Sequence, residues 1–324
     1  MYLETGNPMQ GRKLDQLRSF LQKNGLEYDE SIRFSAALME DDEIIASGSL
    51  DGATIKCVAV SPDHQGEDLT ARIMTVLVQK AAEEGFRHLM LYTKPRNQHL
   101  FAPLGFHPVI RTSDVLLMEN RRGGLNAFLQ GLEKPAQPDG PVGCIVAHAN
   151  PFTVGHRFLI ETAAAQCRFV HVFVLSEDRG LFKAQERLQM VREGCSDLSS
   201  VLVHPTGPYM VSSSTFPTYF IKDKQRTGDI HCELDVRLFG EKIAPALGIT
   251  RRYVGTEPSC AVTAHYNARM KQLLPDYGIE LIEIERKALA GRAVSASDVR
   301  EKLAAGESID GLLPESTLKI IHAR

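Results

Sequence analysis

The spacing of hydrophobic positions predicts both helices and strands in the first third of the chain. Apolar side chains recur every three or four residues over 11–24 and again over 70–84, which predicts two amphipathic helices. Shorter apolar runs predict strands at 33–39, 44–50, 54–60 and 88–93. The first two of these strands flank a polar turn, so we predict that they form a hairpin.

The second half of the chain alternates apolar runs with helical periodicity. A buried strand is predicted in the apolar run that starts at Cys144 and ends in a proline turn, and a helix follows through about residue 166. Further strands are predicted at 169–175, 252–255 and 279–285. Strands that alternate with helices favour a parallel sheet, so we predict a doubly wound, Rossmann-like α/β domain.

A proline-rich stretch separates the two halves. Residues 133–141 contain three prolines and a glycine, a composition that cannot hold regular structure. A short helix is predicted before it, over 125–132. We therefore place one domain at 1–134, a linker at 135–141 and a second domain at 142–324.

Composition narrows the function classes. The net charge is −3 without a basic block, which argues against a nucleic-acid partner. No apolar run reaches membrane-spanning length and the N-terminus lacks the pattern of a signal peptide, so we expect no membrane contact and a cytoplasmic location. The six cysteines form no C-x-x-C pair, and we expect core thiols without disulfides or a structural metal site.

The strongest chemical signal is the segment from Cys144 to His156. An apolar run ends in a proline turn and opens directly into a helix, where unpaired backbone N–H groups form an anion site. Thr153 and His156 add a hydroxyl and an imidazole, and Gly155 leaves room for a phosphate near the backbone. The alternative is an ordinary strand-to-helix connection in which His156 only caps the helix.

A second anion site is predicted near the C-terminus. Ser295, Ser297 and Arg300 stand at the start of a helix that follows the last predicted strand. Hydroxyls, helix N–H groups and a guanidinium together suit the β and γ phosphates of a nucleotide. Residues 207–222 are dense in hydroxyls and aromatics, which fits either a pocket for a small polar substrate or a serine-rich connection with buried aromatics.

The first of these segments, Asn150-Pro151-Phe152-Thr153-Val154-Gly155-His156, resembles the signature of the nucleotidyltransferase superfamily of α/β-phosphodiesterases, which cut nucleoside triphosphates between the α and β phosphates. Residues 294–300 resemble its second signature. The resemblance implies catalytic roles for Thr153, His156, Lys183 and Arg300. It implies nucleotide contacts from Asn150, Pro151, Phe152, Gly155, Arg187, Gly255, Thr256, Glu257, Ser295 and Ser297. For Arg187, an ordinary ion pair on a solvated helix face is the alternative.

Residues 10–120 resemble an acetyltransferase domain of the GNAT type. The resemblance rests on the strand at 58–60 leading to a Gln65-Gly66 turn that opens a helix, and on the segment at 97–106. The family turn binds the pyrophosphate of coenzyme A through backbone N–H groups. Asp68 and Thr70 replace small residues there, so both retained acetyl transfer and a fold without that activity stay open.

Both halves together resemble the citrate lyase ligase family over about 10–320. The resemblance implies an ATP-dependent acid–thiol ligase in which acetate attacks the α-phosphorus to give acetyl-adenylate and pyrophosphate, with Mg²⁺ on the phosphates. The acetyl group then passes to the thiol of a CoA-like prosthetic group on the acyl carrier subunit of citrate lyase. We expect the N-terminal half to dock that CoA-like arm near the strand at 58–60.

Two other functions are compatible with the same motifs. An adenylyltransferase would join AMP to a phosphorylated small molecule and would need a second phosphate site. A nucleotide-sensing or carrier-docking module would bind without turnover. Acetate-dependent exchange of pyrophosphate into ATP distinguishes the ligase from both.

Overall fold

A computed structural model describes residues 1–135, 139–178, 180–212, 215–257, 260–289 and 291–323. Three predicted features lie partly outside these residues: the linker at 136–138, the hydroxyl-rich segment at Ser213 and Ser214, and the turn after residue 257. Backbone contacts divide the chain into an N-terminal unit, Met1–Leu125 with Phe216–Ile230, and a C-terminal unit, Asn126–Thr215 with His231–Arg324. The segment Phe216–Ile230 thus packs with the N-terminal unit although it lies late in the sequence.

The N-terminal unit carries the helices and strands that the hydrophobic spacing predicted, together with three further strands. Its strands are β1 (Tyr2–Gly6), β2 (Phe34–Glu40), β3 (Glu43–Asp51), β4 (Thr54–Val60), β5 (Met90–Thr93), β6 (His107–Arg111) and β7 (Leu116–Glu119). Its helices are α1 (Gly11–Lys23), α2 (Leu69–Glu83), α3 (Gln98–Phe101) and the start of α4 (Gly124–Gln130). The apolar faces of α1 and α2 are buried, as predicted.

Within the described residues these strands form one sheet in the order β1-β2-β3-β4-β5-β7-β6. The pair β4 and β5 is parallel, and the other neighbours are antiparallel. The register of β4 and β5 covers two residue pairs, Thr54 with Met90 and Ile55 with Leu91. The strands diverge beyond these pairs and leave an opening between them.

Tyr219, from the late segment, fills this opening. Its hydroxyl donates to the backbone carbonyl of Tyr92 in β5 at 3.1 Å and lies beside the backbone of Cys57 in β4. Its own carbonyl accepts from the N–H of Glu27 at 2.9 Å, and Phe216 packs edge-on against the Tyr92 ring at 6.0 Å. Burial raises the pKa of Tyr219 well above its ordinary value, so the hydroxyl keeps its proton and remains a donor.

The C-terminal unit alternates strands and helices. Its strands are β8 (Val142–Ala147), β9 (Phe169–Val174), β10 (Val201–Pro205), β11 (Arg251–Gly255), β12 (Glu280–Ile284), β13 (Ala288–Leu289) and β14 (Arg292–Ala293). Its helices are α5 (Val154–Gln166), α6 (Ala184–Gly194), most of α7 (Thr227–Leu238), α8 (Ala244–Leu247), α9 (Ala261–Leu273), α10 (Ala296–Ala305) and α11 (Glu315–His322).

The main sheet of this unit is parallel, in the order β10-β9-β8-β11-β12, which confirms the predicted doubly wound fold. The direction of winding reverses between β8 and β11. These two strands pair through Gly143 with Arg251 and Cys144 with Arg252, and then diverge. A crevice at such a reversal is the usual ligand site of an open α/β sheet.

Two predictions from composition can be compared with the structure. Five of the six cysteines are buried and Cys260 is exposed, which confirms core thiols for most of them. Over the part of the chain that the structure describes, no helix combines the length and apolar character that crossing a membrane requires.

Candidate functional site

A cavity of about 1070 Å³ opens where β8 and β11 diverge. The first turns of α5 and α10 line it, together with the residues that end β11 and β12 and the segment Met210–Ser212. The volume slightly exceeds the usual range of about 300–1,000 Å³ for small-molecule sites, so the cavity is large enough for a ligand of nucleotide size. The cavity therefore combines both predicted anion sites.

The first turn of α5 is closed by a reciprocal cap between Thr153 and His156. The Oγ1 of Thr153 accepts from the backbone N–H of His156 at 3.3 Å, and Nδ1 of His156 accepts from the backbone N–H of Thr153 at 3.1 Å. This reciprocal cap gives hydrogen-bond partners to two backbone N–H groups that would otherwise have none at the start of the helix. It also fixes the direction of the imidazole.

This cap determines what His156 can do in the cavity. The pKa of His156 is lowered to about 4, first by burial and then by Arg286 and His148, so the ring is neutral at pH 7. Because Nδ1 is an acceptor for Thr153, the ring proton is on Nε2. A fixed, neutral N–H can donate a hydrogen bond to a phosphate oxygen.

Two residues of the first motif, Pro151 and Phe152, lie behind the cavity surface, and a third, Gly155, lines it. Phe152 is fully buried and stacks against the His156 ring at 5.9 Å. Pro151 is buried beside it. A side chain on Gly155 would come within 3.3 Å of the backbone carbonyl of Val294, so glycine lets the first turn of α5 approach the loop before α10 closely.

Asn150 joins the first motif to two other loops. Its Oδ1 accepts from the N–H of Phe182 at 3.2 Å, and its backbone carbonyl accepts from Nη1 of Arg300 at 2.6 Å. A Cβ on Gly180 would collide with the Asn150 amide. Asn150 is itself buried, so it shapes the site from within the protein.

The second predicted anion site forms the first turn of α10. Ser295 caps the helix, since its Oγ accepts from the N–H of Ser297 at 3.1 Å. The Oγ of Ser297 in turn accepts from Nη2 of Arg300 at 2.9 Å. Both serines line the cavity. Arg300 therefore ties α10 to the Asn150 loop with one fork.

Gly255, Thr256 and Glu257 follow β11, where they meet an arginine that sequence patterns did not single out. Arg286 donates through Nε to the carbonyl of Thr256 at 2.8 Å and forms an ion pair with Glu257. The carbonyl of Gly255 accepts from the amide of Asn267 at 3.1 Å. Arg286 lies shortly after the end of β12, at the carboxyl edge of the sheet. That position is the feature of the sequence from which its place in the site could have been predicted.

Lys183 and Arg187 occupy different environments on α6. Lys183 is exposed at the start of α6, and its backbone N–H donates to the carboxylate of Glu186 at 2.7 Å. Arg187 is fully buried. Its guanidinium donates to the backbone carbonyls of Phe182 at 3.2 Å and His148 at 2.7 Å, and also to that of Glu177. Arg187 thus clamps the loops after β8 and β9.

The side chains of His148 and Glu177 face each other at these clamped loops. Nε2 of His148 lies 3.7 Å from Oε1 of Glu177, and among the described residues neither of these buried atoms has a hydrogen-bond partner. The other oxygen of Glu177 accepts from the hydroxyls of Ser212 at 3.0 Å and Thr215 at 2.6 Å. His148 lines the cavity and keeps 37% of its side chain exposed. His148 follows β8 and Glu177 follows β9, so both lie at the carboxyl edge of the parallel sheet. That position is the feature of the sequence from which the pair could have been predicted.

The hydroxyl-rich segment at 207–222 serves both units. Met210–Ser212 line the cavity of the C-terminal unit. From Phe216 onward the chain packs with the N-terminal unit, where Phe216, Tyr219, Phe220 and Ile221 are buried. The pocket and the buried aromatics that the composition left as alternatives are thus both present, on different parts of the segment.

Comparison with known proteins assigns a family to each half. Residues 142–321 match the model of the citrate lyase ligase C-terminal domain. Residues 9–106 match the model of the acetyltransferase (GNAT) family. A phosphopantetheine adenylyltransferase from Corynebacterium efficiens is 24% identical over 147 residues, 41% of this chain and 91% of that protein. The two units are GNAT-like and nucleotidyltransferase-like, as the motifs predicted.

Two longer relatives match along nearly the whole chain. The [citrate [pro-3S]-lyase] ligase of Klebsiella pneumoniae is 38% identical over 309 residues, which is 93% of this chain and 90% of that protein. The ligase of the same name from Escherichia coli is 39% identical over 321 residues, 97% of this chain and 91% of that protein. With these matches and a family model that spans more than half of its length, the chain belongs to the citrate lyase ligase family of enzymes.

Proposed function

We propose that this protein activates acetate with ATP and acetylates the thiol of the CoA-like prosthetic group on the acyl carrier subunit of citrate lyase, which switches that lyase on. The observation that supports this most is the single cavity that joins the first turns of α5 and α10. Two helix N-termini, a neutral imidazole N–H and two serines converge there. The names of the two ligase relatives point to citrate lyase as the protein acted on.

In the first step the acetate oxygen attacks the α-phosphorus of ATP, and pyrophosphate leaves. His156 donates its Nε2–H to the α-phosphate as charge develops, while Thr153 holds the ring in place. Ser295 and Ser297 receive the β and γ phosphates, and Arg300 keeps α10 against the Asn150 loop. Lys183 reaches the phosphates with its long flexible side chain from the start of α6.

The donors at the site suit a nucleotide. Arg286 and the helix N-termini provide positive potential, and the first motif offers N–H groups beside a neutral ring. Gly255 and Glu257 line the cavity where β11 ends, with Thr256 between them, and Pro151, Phe152 and Gly155 give the first turn of α5 its close packing. Mg²⁺ bound to the ATP phosphates would neutralise part of their charge.

In the second step the carrier thiol attacks the acetyl carbon of the adenylate, and AMP leaves. The reaction needs no covalent enzyme intermediate because the carboxylate and the thiol are the two nucleophiles. The protein contributes orientation and charge stabilisation.

Acetate-dependent exchange of labelled pyrophosphate into ATP tests the first step. Full-length protein with acetate, ATP and Mg²⁺ should exchange, and omission of acetate should abolish the signal. Exchange that proceeds without acetate, or none at all with it, contradicts the proposal.

An adenylyltransferase is the second candidate, because the C-terminal unit is similar to the phosphopantetheine adenylyltransferase. That activity would exchange pyrophosphate only with a phosphorylated acceptor. The exchange assay with acetate and with 4′-phosphopantetheine in parallel separates the two reactions.

A further inference from the structure

We propose that His148 is the general base that takes the proton from the attacking thiol in the second step, and that Glu177 positions it. This inference rests on the proposed function, because a thiol and an acyl adenylate must meet in the cavity. Thiolate is the reactive form, and a thiol with an ordinary pKa of about 8.5 is ionised to only a few per cent at pH 7. A base in contact with the thiol removes that barrier.

The geometry has the form of an oriented base. His148 lines the cavity, and its Nε2 faces the Glu177 carboxylate at 3.7 Å, which leaves Nδ1 for the substrate. Two hydroxyls, of Ser212 and Thr215, hold the far oxygen of that carboxylate. The guanidinium of Arg187 donates to the backbone carbonyls of both His148 and Glu177 and so holds the two loops in place. Catalytic hydrogen bonds are often long before the substrate binds.

Three other candidate bases at the cavity are committed elsewhere. His156 carries its proton on Nε2 because Nδ1 is bonded to Thr153. The carboxylate of Glu257 is paired with Arg286, and that of Asp235 with Arg252 at 3.5 Å. His148 has no such partner at Nε2 other than Glu177 within the described residues.

The charges around His148 set its protonation. Burial lowers the pKa of His148, Arg187 of α6 and Arg300 of α10 lower it further, and Glu177 of the β9 loop raises it. His156 of α5 is the remaining titratable neighbour. The ring is therefore neutral at pH 7 and able to accept a proton.

The step balances as follows. The S–H proton moves to Nδ1 of His148 while the sulfur–carbon bond forms. The bond from the acetyl carbon to the phosphate oxygen breaks, and AMP leaves with the electron pair. The imidazolium, stabilised by Glu177, then releases its proton to solvent.

The test compares the two half-reactions in the full-length variant His148→Gln. Pyrophosphate exchange should stay within about threefold of the wild type. Acetyl transfer from preformed adenylate to the free-thiol carrier subunit should fall about 100-fold at pH 7, the lower end of general-base effects. Near pH 9 the thiol ionises without help, so the defect should shrink to less than about tenfold.

Two further variants complete the test. Glu177→Gln should slow transfer about tenfold. It should also shift the pH dependence of transfer to lower pH, because the imidazole loses the carboxylate that raises its pKa. If His148→Gln does not fold, the Glu177→Gln variant tests the proposal in its place. His322→Gln, exposed at the end of α11, is the matched control and should leave both half-reactions unchanged. Parallel loss of exchange and transfer, a transfer defect independent of pH, or transfer within threefold of the wild type would overturn the inference. Absence of exchange in the wild type would instead contradict the proposed function.

Discussion

Both units contain a pair of parallel strands that separate after two residue pairs and leave an opening between them. The opening of one unit forms a cavity, and that of the other is filled by a side chain. In the C-terminal unit, β8 and β11 diverge into a cavity of about 1070 Å³. In the N-terminal unit, β4 and β5 diverge around Tyr219, whose hydroxyl bonds to the β5 backbone. One opening is available to a ligand, and the other is filled by the chain itself.

This difference shows that a unit can keep the fold of its family while the opening that would hold a ligand is filled. The N-terminal unit matches the GNAT model, but its opening holds a buried phenol. The hypothesis that a CoA-like arm docks near 58–60 therefore requires Tyr219 to leave its place between the strands. We infer that Tyr219 stabilises this unit and that the chemistry belongs to the other opening.

The largest expected effect is on the open site. His156→Ala removes the N–H donor that we propose acts on the α-phosphate, and loss of one such donor costs about 2.7–4 kcal/mol of transition-state stabilisation. Acetate-dependent exchange should fall about 100- to 1000-fold. The measurement is the exchange rate at saturating ATP and acetate.

Thermal unfolding of the same variant provides the control. The reciprocal cap with Thr153 is lost as well, and caps contribute about 1 kcal/mol, so a small drop in Tm is expected without loss of the fold. A variant that exchanges at close to the wild-type rate would remove His156 from the site.

Arg300→Lys tests whether the fork between α10 and the Asn150 loop matters for the nucleotide. A lysine keeps the charge but cannot hold both the Asn150 carbonyl and the Ser297 hydroxyl in the same planar geometry. Losing a charged hydrogen bond costs about 1.5–3 kcal/mol, so kcat/KM for ATP should fall about 10- to 100-fold.

The KM for acetate is the internal control for Arg300→Lys. It should change less than about threefold, because Arg300 contacts Ser297 and the Asn150 loop, where the proposed function places the phosphates rather than acetate. Equal losses for ATP and acetate would assign Arg300 a general structural role.

The sequence predicted the local features of this comparison well. The strand predicted at 54–60 coincides with β4, and the helix predicted at 70–84 corresponds to α2. The turn between β8 and α5 was predictable because an apolar run, a proline turn and a capping threonine lie next to one another in sequence. Each of these signals is local.

What the sequence left undetermined depends on contacts between distant segments. Tyr219 and Tyr92 are 127 residues apart, and no spacing rule relates them. Arg187 has the spacing of a helix-surface residue, yet its guanidinium is buried against three loop carbonyls. β1 was missed because it is exposed along much of its length and lacks a hydrophobic run.

Tyr219→Phe probes the filled opening with a smaller effect. The ring still fills the space, but the donor to the Tyr92 carbonyl is gone. A missing partner for a buried polar group costs about 1–3 kcal/mol, so the free energy of unfolding should fall by about that amount while acetate-dependent exchange is unchanged. Chemical denaturation and the exchange assay measure the two quantities. A variant that loses exchange but not stability would place Tyr219 in the chemistry and reverse the comparison.

The last comparison concerns the pH at which each unit loses stability. In the C-terminal unit, His171 of β9 and His204 of β10 are buried with their rings bonded at 3.0 Å, and burial lowers the pKa of each to about 4. In the N-terminal unit, the pKa of Asp29 is lowered: burial raises it, but hydrogen bonds from Ser31 and Lys56 outweigh that effect.

These shifts act in different pH windows. The two histidines take up protons in the unfolded chain near pH 6.5 but resist them in the folded one, so their contribution is complete above pH 6.5 and declines as pH falls towards 4. Asp29 contributes above its ordinary value of 3.8, and its contribution is lost only as pH falls below that. Hydrogen exchange, expressed as opening free energies, should therefore show β9 and β10 losing protection between pH 6.5 and 4 while β2 to β4 hold theirs. The double variant His171→Phe with His204→Phe should flatten that decline, because neither side chain titrates. Equal slopes in the variant and the wild type, or simultaneous loss in both sheets, would show that the histidine pair does not set the acid stability of this unit.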